Sequence, residues 1–268
     1  MGKQKHIVYG LVSAAAIAIS VAACVTSPET GRTQLSLVSD SQMNSLGAQA
    51  YQETLAKAKI SRNTALNNEV AGIGRRIAQA SGVDYDWEFT VLDEPQTVNA
   101  FCLPGGKVAV YTGIIPVAKN NAALAAVMGH EVAHATLRHS AERMSQQLVM
   151  QMGLTVASIT FSDSKNRDMI AGLLGIGTQF GVVLPFSRYH ESEADRVGLE
   201  YMAKAGYDPR EAVGLWERMG AMGGGSRPPE ILSTHPDPAR RAKELSKHMP
   251  KALAMYQASP LRSPTKSL

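Results

Sequence analysis

Apolar residues fall along the chain in three rhythms that predict where helices and strands lie. Over 39–59 they recur at helical spacing: Met43, Leu46, Ala50 and Leu55 form one stripe, with Ser39 or Asp40 placed to cap the start. Over 67–81 Val70, Ile73, Ile77 and Ala80 form a second stripe. A strand-like alternation occupies 87–93 and is broken by Asp93-Glu94-Pro95. Asn99-Ala100-Phe101 then leads through a Pro104-Gly105-Gly106 turn into the β-branched, alternating run 107–112. These two runs predict a small sheet, either with an edge open to an added peptide strand or as an ordinary core hairpin. The third rhythm is almost unbroken. From Ala122 to Met128 hardly a polar side chain interrupts strong helix formers, with Asn121 as a cap. A helix apolar on every side is a buried one, so the polar residues that follow in 121–139 are carried into the interior.

Farther on, 147–186 is the most apolar part of the chain after the N-terminus, split by a polar stretch at 162–168. Its segments are short or polar for a membrane span. The expectation is a buried or surface-lying helical hairpin, placed to cover a site, in preference to a membrane-inserted one. A helix over 187–205 is closed by Gly206. Asp208-Pro209-Arg210-Glu211 starts another that ends near Gly220, and a Gly- and Pro-rich loop follows at 223–229.

The polar residues on the buried helix read His130-Glu131-Val132-Ala133-His134. Residues four apart on a helix differ by about 40° of rotation, so both imidazoles leave one face and can share a metal ion. Glu131 borders that face, a carboxylate able to take a proton from a water activated by the metal. On 187–205, Glu191 and Asp195 share the apolar face with Gly198, Leu199 and Met202. Burying two carboxylates without a cation is costly. Together His130, His134 and Glu191 make the three-ligand set that leaves a catalytic zinc one open position. Asp195 then accepts a hydrogen bond from a ligand imidazole. Glu193, about 200° around the helix from Glu191, is expected in solvent. On a continuous helix His139 points about 140° from His134, which makes it a helix-end or packing residue.

Charge and cysteine content narrow the setting. Lys3 and Lys5 precede the apolar run 7–23, which ends Val21-Ala22-Ala23-Cys24: an export signal with a lipobox, Cys24 being the lipidated residue. Without the two leader lysines 25 basic residues face 23 acidic ones, too even a balance, and too scattered, for nucleic acid. With Cys24 acylated, Cys102 is the one thiol left, so no intrachain disulfide forms. Cys102 reads as a small buried residue in preference to a reactive thiol.

Taken together, Asn99-Ala100-Phe101, Leu103-Pro104-Gly105-Gly106, the His-Glu-x-x-His run and Glu191-Ser192-Glu193-Ala194-Asp195 with Gly198 resemble the gluzincin family of the CAAX prenyl endopeptidase and HtpX. The likeness is greatest to its exported, BepA- and LoiP-like lipoprotein branch and covers about 39–247. It implies an α+β fold, a mostly helical zincin-type domain with a small sheet beside the metal helix. It also implies Glu191 as third ligand and Asn99-Ala100 on the substrate edge. The family's late His-Pro followed by Arg corresponds to His235-Pro236 and Arg241. His235 is then either a fourth ligand that closes the site or an oxyanion-stabilising group, against a plain helix cap. Arg241 binds a substrate carbonyl or a carboxylate near the site, against a surface salt bridge. Where BepA-like members continue into helical repeats, this chain carries a Pro-, Ser- and Lys-containing tail.

The expected organisation is a signal peptide at 1–23, a flexible linker at 24–38, a zinc metallopeptidase domain at 39–250 and a tail at 251–268. The expected activity is endopeptidase cleavage of misfolded or stalled envelope proteins, with one zinc per chain and Glu131 as general base. The expected place is the periplasmic side of the bacterial outer membrane, held by lipid on Cys24. The rival reading is a zinc-containing chaperone or binding module kept latent by His235. An aminopeptidase is disfavoured, because no acidic anchor for a free amine accompanies the motif.

Overall fold

The computed structural model describes residues 24–160, 187–223 and 229–268, without the side chains of 152–160. The expected leader at 1–23, the second apolar segment of 147–186 and most of the Gly-rich loop lie outside the described residues. The chain divides into two compact units, 1–40 with 141–177 and 41–140 with 178–268.

In the smaller unit, β1 (Cys24–Thr26) pairs antiparallel with β2 (Thr33–Leu35). The expected linker thus carries a hairpin, and it is tied to α5 (His139–Thr160). Arg32 donates to both carboxylate oxygens of Glu142, at 2.7 and 2.6 Å, the planar fork matching the carboxylate. The Leu37 N–H donates to Ser145 Oγ at 2.9 Å.

The larger unit begins with α1 (Asp40–Lys57) and α2 (Thr64–Ser81). Its sheet has the order β3 (Glu88–Leu92), β5 (Lys107–Tyr111), β4 (Ala100–Leu103). β5 runs parallel to β3 and antiparallel to β4, so the turn at Gly105-Gly106 joins β4 and β5, and β4 is an edge. The sheet predicted from the alternating runs is therefore present, and β4 packs beside α4 (Asn121–Thr136). A short α3 (Ile115–Ala118) precedes α4, and α6 (Arg188–Lys204), α7 (Arg210–Gly223), α8 (Ile231–Thr234) and α9 (Pro238–Ala258) follow. The architecture is α+β and mainly helical, as the family resemblance implies.

All of α4 is buried. Leu124 and Met128, with no exposed surface, each contribute about 1.5–3 kcal/mol by leaving water. Its cap is Asn120, not Asn121: the Asn120 Oδ1 accepts the Ala123 N–H at 2.8 Å. Either asparagine suits a cap, but Asn121 is taken by the C-terminal segment. Its N–H donates to Lys266 O, and its Oδ1 accepts the Lys266 N–H at 3.1 Å. Residues 251–258 continue α9, and 259–268 return along the molecule through Ser263 N–H to Gly206 O. Asn120→Ala removes the cap and the 2.9 Å bond to Glu211 Oε2. A loss of about 1–2 kcal/mol is expected in urea unfolding.

α4 and α6 cross at glycines. A Cβ on Gly198 would lie 2.7 Å from the backbone of Gly129 and His130, and one on Gly129 would lie 2.7 Å from Gly198 O. The two helices therefore touch backbone to backbone, at the residue before His130 on α4 and three residues after Asp195 on α6.

Candidate metal centre

His130 and His134 stand on α4 and Glu191 on α6, and all three are buried. Their donor atoms converge. His130 Nε2 is 3.0 Å from His134 Nε2, and His134 Nε2 is 3.3 Å from Glu191 Oε1. His235, at the end of α8, adds its Nδ1 at 2.9 Å from Glu191 Oε1 and 3.2 Å from His130 Nε2. All four ligating atoms lie within 4.8 Å of one another. A tetrahedral zinc with bonds of about 2.0–2.1 Å separates its ligands by about 3.3–3.4 Å. The donor set fits such an ion, and imidazole lone pairs aimed at one point need a cation between them.

Glu131 faces the same space. Its Oε1 has no hydrogen-bond partner among the described residues and lies 3.5 Å from His235 Nε2. Burial pushes the Glu131 carboxyl up to about 7. Burial works the same way on Glu191, but hydrogen bonds from His134 and His235 and the Arg241 charge outweigh it and hold Glu191 well below the usual carboxylate range. For His130, burial and then the Arg241 charge lower the imidazole to about 4, so it stays neutral and able to ligate.

Asp195 lies one turn beyond Glu191, with Oδ1 at 3.1 Å from His130 Nδ1. Arg241, from α9, is 1 % exposed. Its Nε donates to Asp195 Oδ2 at 2.9 Å, its Nη1 lies 2.9 Å from Glu191 Oε2, and its guanidinium sits 3.4 Å over the Trp216 ring. Arg241 is thus enclosed among carboxylates and an indole, and it is not on the surface.

The expected substrate edge is partly occupied. Asn99 Oδ1 accepts the N–H of Ala100 at 2.9 Å. Val98 O, just before β4, accepts the Ile231 N–H at 3.2 Å, so the segment bearing His235 is bonded to the lead-in of that edge. From within β4, Cys102 gives a backbone hydrogen bond to Glu131. The Cys102 thiol is buried.

Two residues differ from expectation. α4 stops at Leu137, Arg138 takes a left-handed φ of 58°, and α5 restarts at His139. The helix is not continuous, and His139 turns back to place its Nδ1 2.9 Å from His134 Nδ1. Glu193 is 6 % exposed and not solvated, because His139 covers it: Nε2 lies 3.3 Å from Glu193 Oε2. With Trp216, these are the site residues that sequence reasoning missed. The extra histidine five after His134 was the available signal for His139, but nothing local marks Arg138 as a left-handed turn.

A buried His-Glu-x-x-His helix, with a carboxylate from a second helix completing the donor set, defines a metallopeptidase domain. Residues 64–249 match the model of peptidase family M48, and the chain belongs to that family. It is 40% identical to the mitochondrial metalloendopeptidase OMA1 of Schizosaccharomyces pombe over 71% of this chain and 55% of that protein. It is 32% identical to the mitochondrial metalloendopeptidase OMA1 of Bos taurus, over 86% and 47%. It is also 30% identical to the beta-barrel assembly-enhancing protease of Escherichia coli, over 81% and 45%. The chain spans about half the length of these relatives. The metallopeptidase class expected from the motifs is thereby shown at the level of family M48, and relatives named as mitochondrial stand beside a bacterial one. Among the described residues no helix is long and apolar enough to cross a membrane.

Proposed function

We propose that the protein is a zinc metalloendopeptidase that cuts unfolded or misassembled envelope proteins, with His130, His134 and Glu191 holding one zinc. The observation that carries this reading is the convergence of those three donors beside the buried, unpartnered Glu131 oxygen. Zinc, when bound, supplies a Lewis acid for the scissile carbonyl and acidifies a nearby water. Glu131 takes the proton of that water and returns it to the leaving amine. Asp195 keeps the His130 ring oriented, and Arg241, stacked on Trp216, balances the charge of Asp195 and Glu191. Asn99 and Ala100 offer the strand edge along which an extended peptide aligns.

His235 makes this a closed form. Its two nitrogens face Glu191 and Glu131, so it stands where substrate and water have to enter. The Ile231 bond to Val98 holds the same segment against the strand edge. Withdrawal of His235 opens both, and in a withdrawn position the imidazole is within reach of a developing oxyanion. For location, the Lys3 and Lys5 leader, the apolar run and Cys24 support a lipid anchor on the periplasmic side of the outer membrane. The likeness to a protease named for β-barrel assembly favours envelope substrates.

The test uses the full chain in detergent with one equivalent of zinc and an unfolded protein as substrate. Cleavage is expected to stop with chelator and return with zinc. His235→Ala is expected to cut about tenfold faster or more, as one blocking ligand contact worth about 1.4 kcal/mol is removed. Stoichiometric zinc with no cleavage in either form would instead favour the latent binding module.

A further inference from the structure

We infer that His139 and Glu193 form an outer support that fixes the metal-binding tautomer of His134. The inference rests on the metal-centre reading. His134 Nε2 is the nitrogen turned to the donor set, 3.0 Å from His130 Nε2 and 3.3 Å from Glu191 Oε1. A neutral imidazole that offers a lone pair at Nε2 carries its proton on Nδ1. That atom is 2.9 Å from His139 Nδ1, which accepts the proton's hydrogen bond. His139 then carries its own proton on Nε2, 3.3 Å from Glu193 Oε2, a carboxylate that accepts it. One assignment satisfies every link from Glu193 to the donor set.

The second ligand histidine shows why this is more than packing. His130 reaches a carboxylate directly, Asp195 Oδ1 at 3.1 Å from its Nδ1. On the outer nitrogen of His134, His139 stands between the ring and a carboxylate, 2.9 Å from His134 Nδ1 and 3.3 Å from Glu193 Oε2. Both carboxylates come from α6, two residues apart, so one helix supports both histidines of the other. His139 has no exposed surface, and its ring stacks on His190 with centroids 4.4 Å apart and planes 23° apart, which sets its orientation. The helix break at Leu137-Arg138 is what turns His139 inward. His139 is thus a positioning residue acting through His134.

Zinc affinity of the full chain, measured by chelator competition, tests this together with the thermal melt of the zinc-free form. His139→Phe keeps an aromatic ring but cannot accept the bond, and a 10–100-fold weaker zinc affinity is expected. His139→Gln, whose amide oxygen can accept from His134 Nδ1–H, is expected to recover most of that loss. Glu193→Gln, which preserves volume, gives a smaller loss and serves as the deciding variant should His139→Phe not fold. Nitrogen NMR of the zinc-loaded chain is expected to place protons on His134 Nδ1 and His139 Nε2. Equal zinc affinity in folded His139→Phe, equal losses in the Phe and Gln variants, unchanged affinity in Glu193→Gln, or the opposite tautomers would each overturn the inference. An unmodified chain that takes up no zinc would overturn the metal-centre reading itself.

Discussion

Glu131→Gln is expected to keep the full zinc content and to lower cleavage of an unfolded protein by about 10²–10⁴-fold, the range that a positioned acid–base group contributes. The amide has nearly the size of the carboxylate, so the buried space and the α4 backbone stay as they are. Only the capacity to take and return a proton is lost. Metal retention is expected because the four converging ligating atoms do not include one from Glu131. Burial sets the Glu131 carboxyl near 7, and a cation at the donor set shifts it back toward the charged form. In the zinc form it is therefore a base at neutral pH. Metal analysis alongside a gel-based cleavage assay separates the roles. Loss of zinc would make Glu131 a ligand, and cleavage within a factor of a few of the unmodified chain would remove it as the base.

Much of this centre is written locally in the chain, and the remainder depends on where the backbone turns. His130, Glu131 and His134 are legible because one helix fixes their relation. Glu191 and Asp195 are legible because their four-residue spacing puts both on the apolar face of α6. The same helical arithmetic fails for Glu193. It points away from Glu191, as the rotation requires, yet it meets protein there because α5 begins by folding His139 over it. That fold depends on a left-handed Arg138, and arginine has no special preference for such a φ. Trp216 was illegible for a different reason. It lies 86 residues after His130 in sequence, and only the crossing of α7 and α9 slides it under Arg241. The Asn120 cap was missed by one residue, since two adjacent asparagines compete and the long-range bonds to 264–266 decide between them.

Gly198→Ala is expected to destabilise the fold and weaken zinc binding together, although Gly198 is not itself a ligand. The added Cβ meets Gly129 C and His130 N at 2.7 Å, against about 3.4 Å for ordinary contact, so α4 and α6 have to separate. Alanine favours a helix by about 1 kcal/mol over glycine, a gain that works against the clash. Forcing apart two buried backbones costs about 3 kcal/mol or more, since neither can yield as a side chain does. The net expectation is a loss of about 2 kcal/mol in urea unfolding of the zinc-free form. The same separation moves His130 away from Glu191 and Asp195, so zinc affinity falls as well. Gly72→Ala in α2 is the matched control, because its Cβ meets nothing within 4 Å and keeps the helix gain alone. Destabilisation by Gly198→Ala with slight stabilisation by Gly72→Ala would establish the close crossing as what sets the metal geometry. Equal stabilisation by both would mean that the helices have room to part and that the ligands are positioned by other contacts.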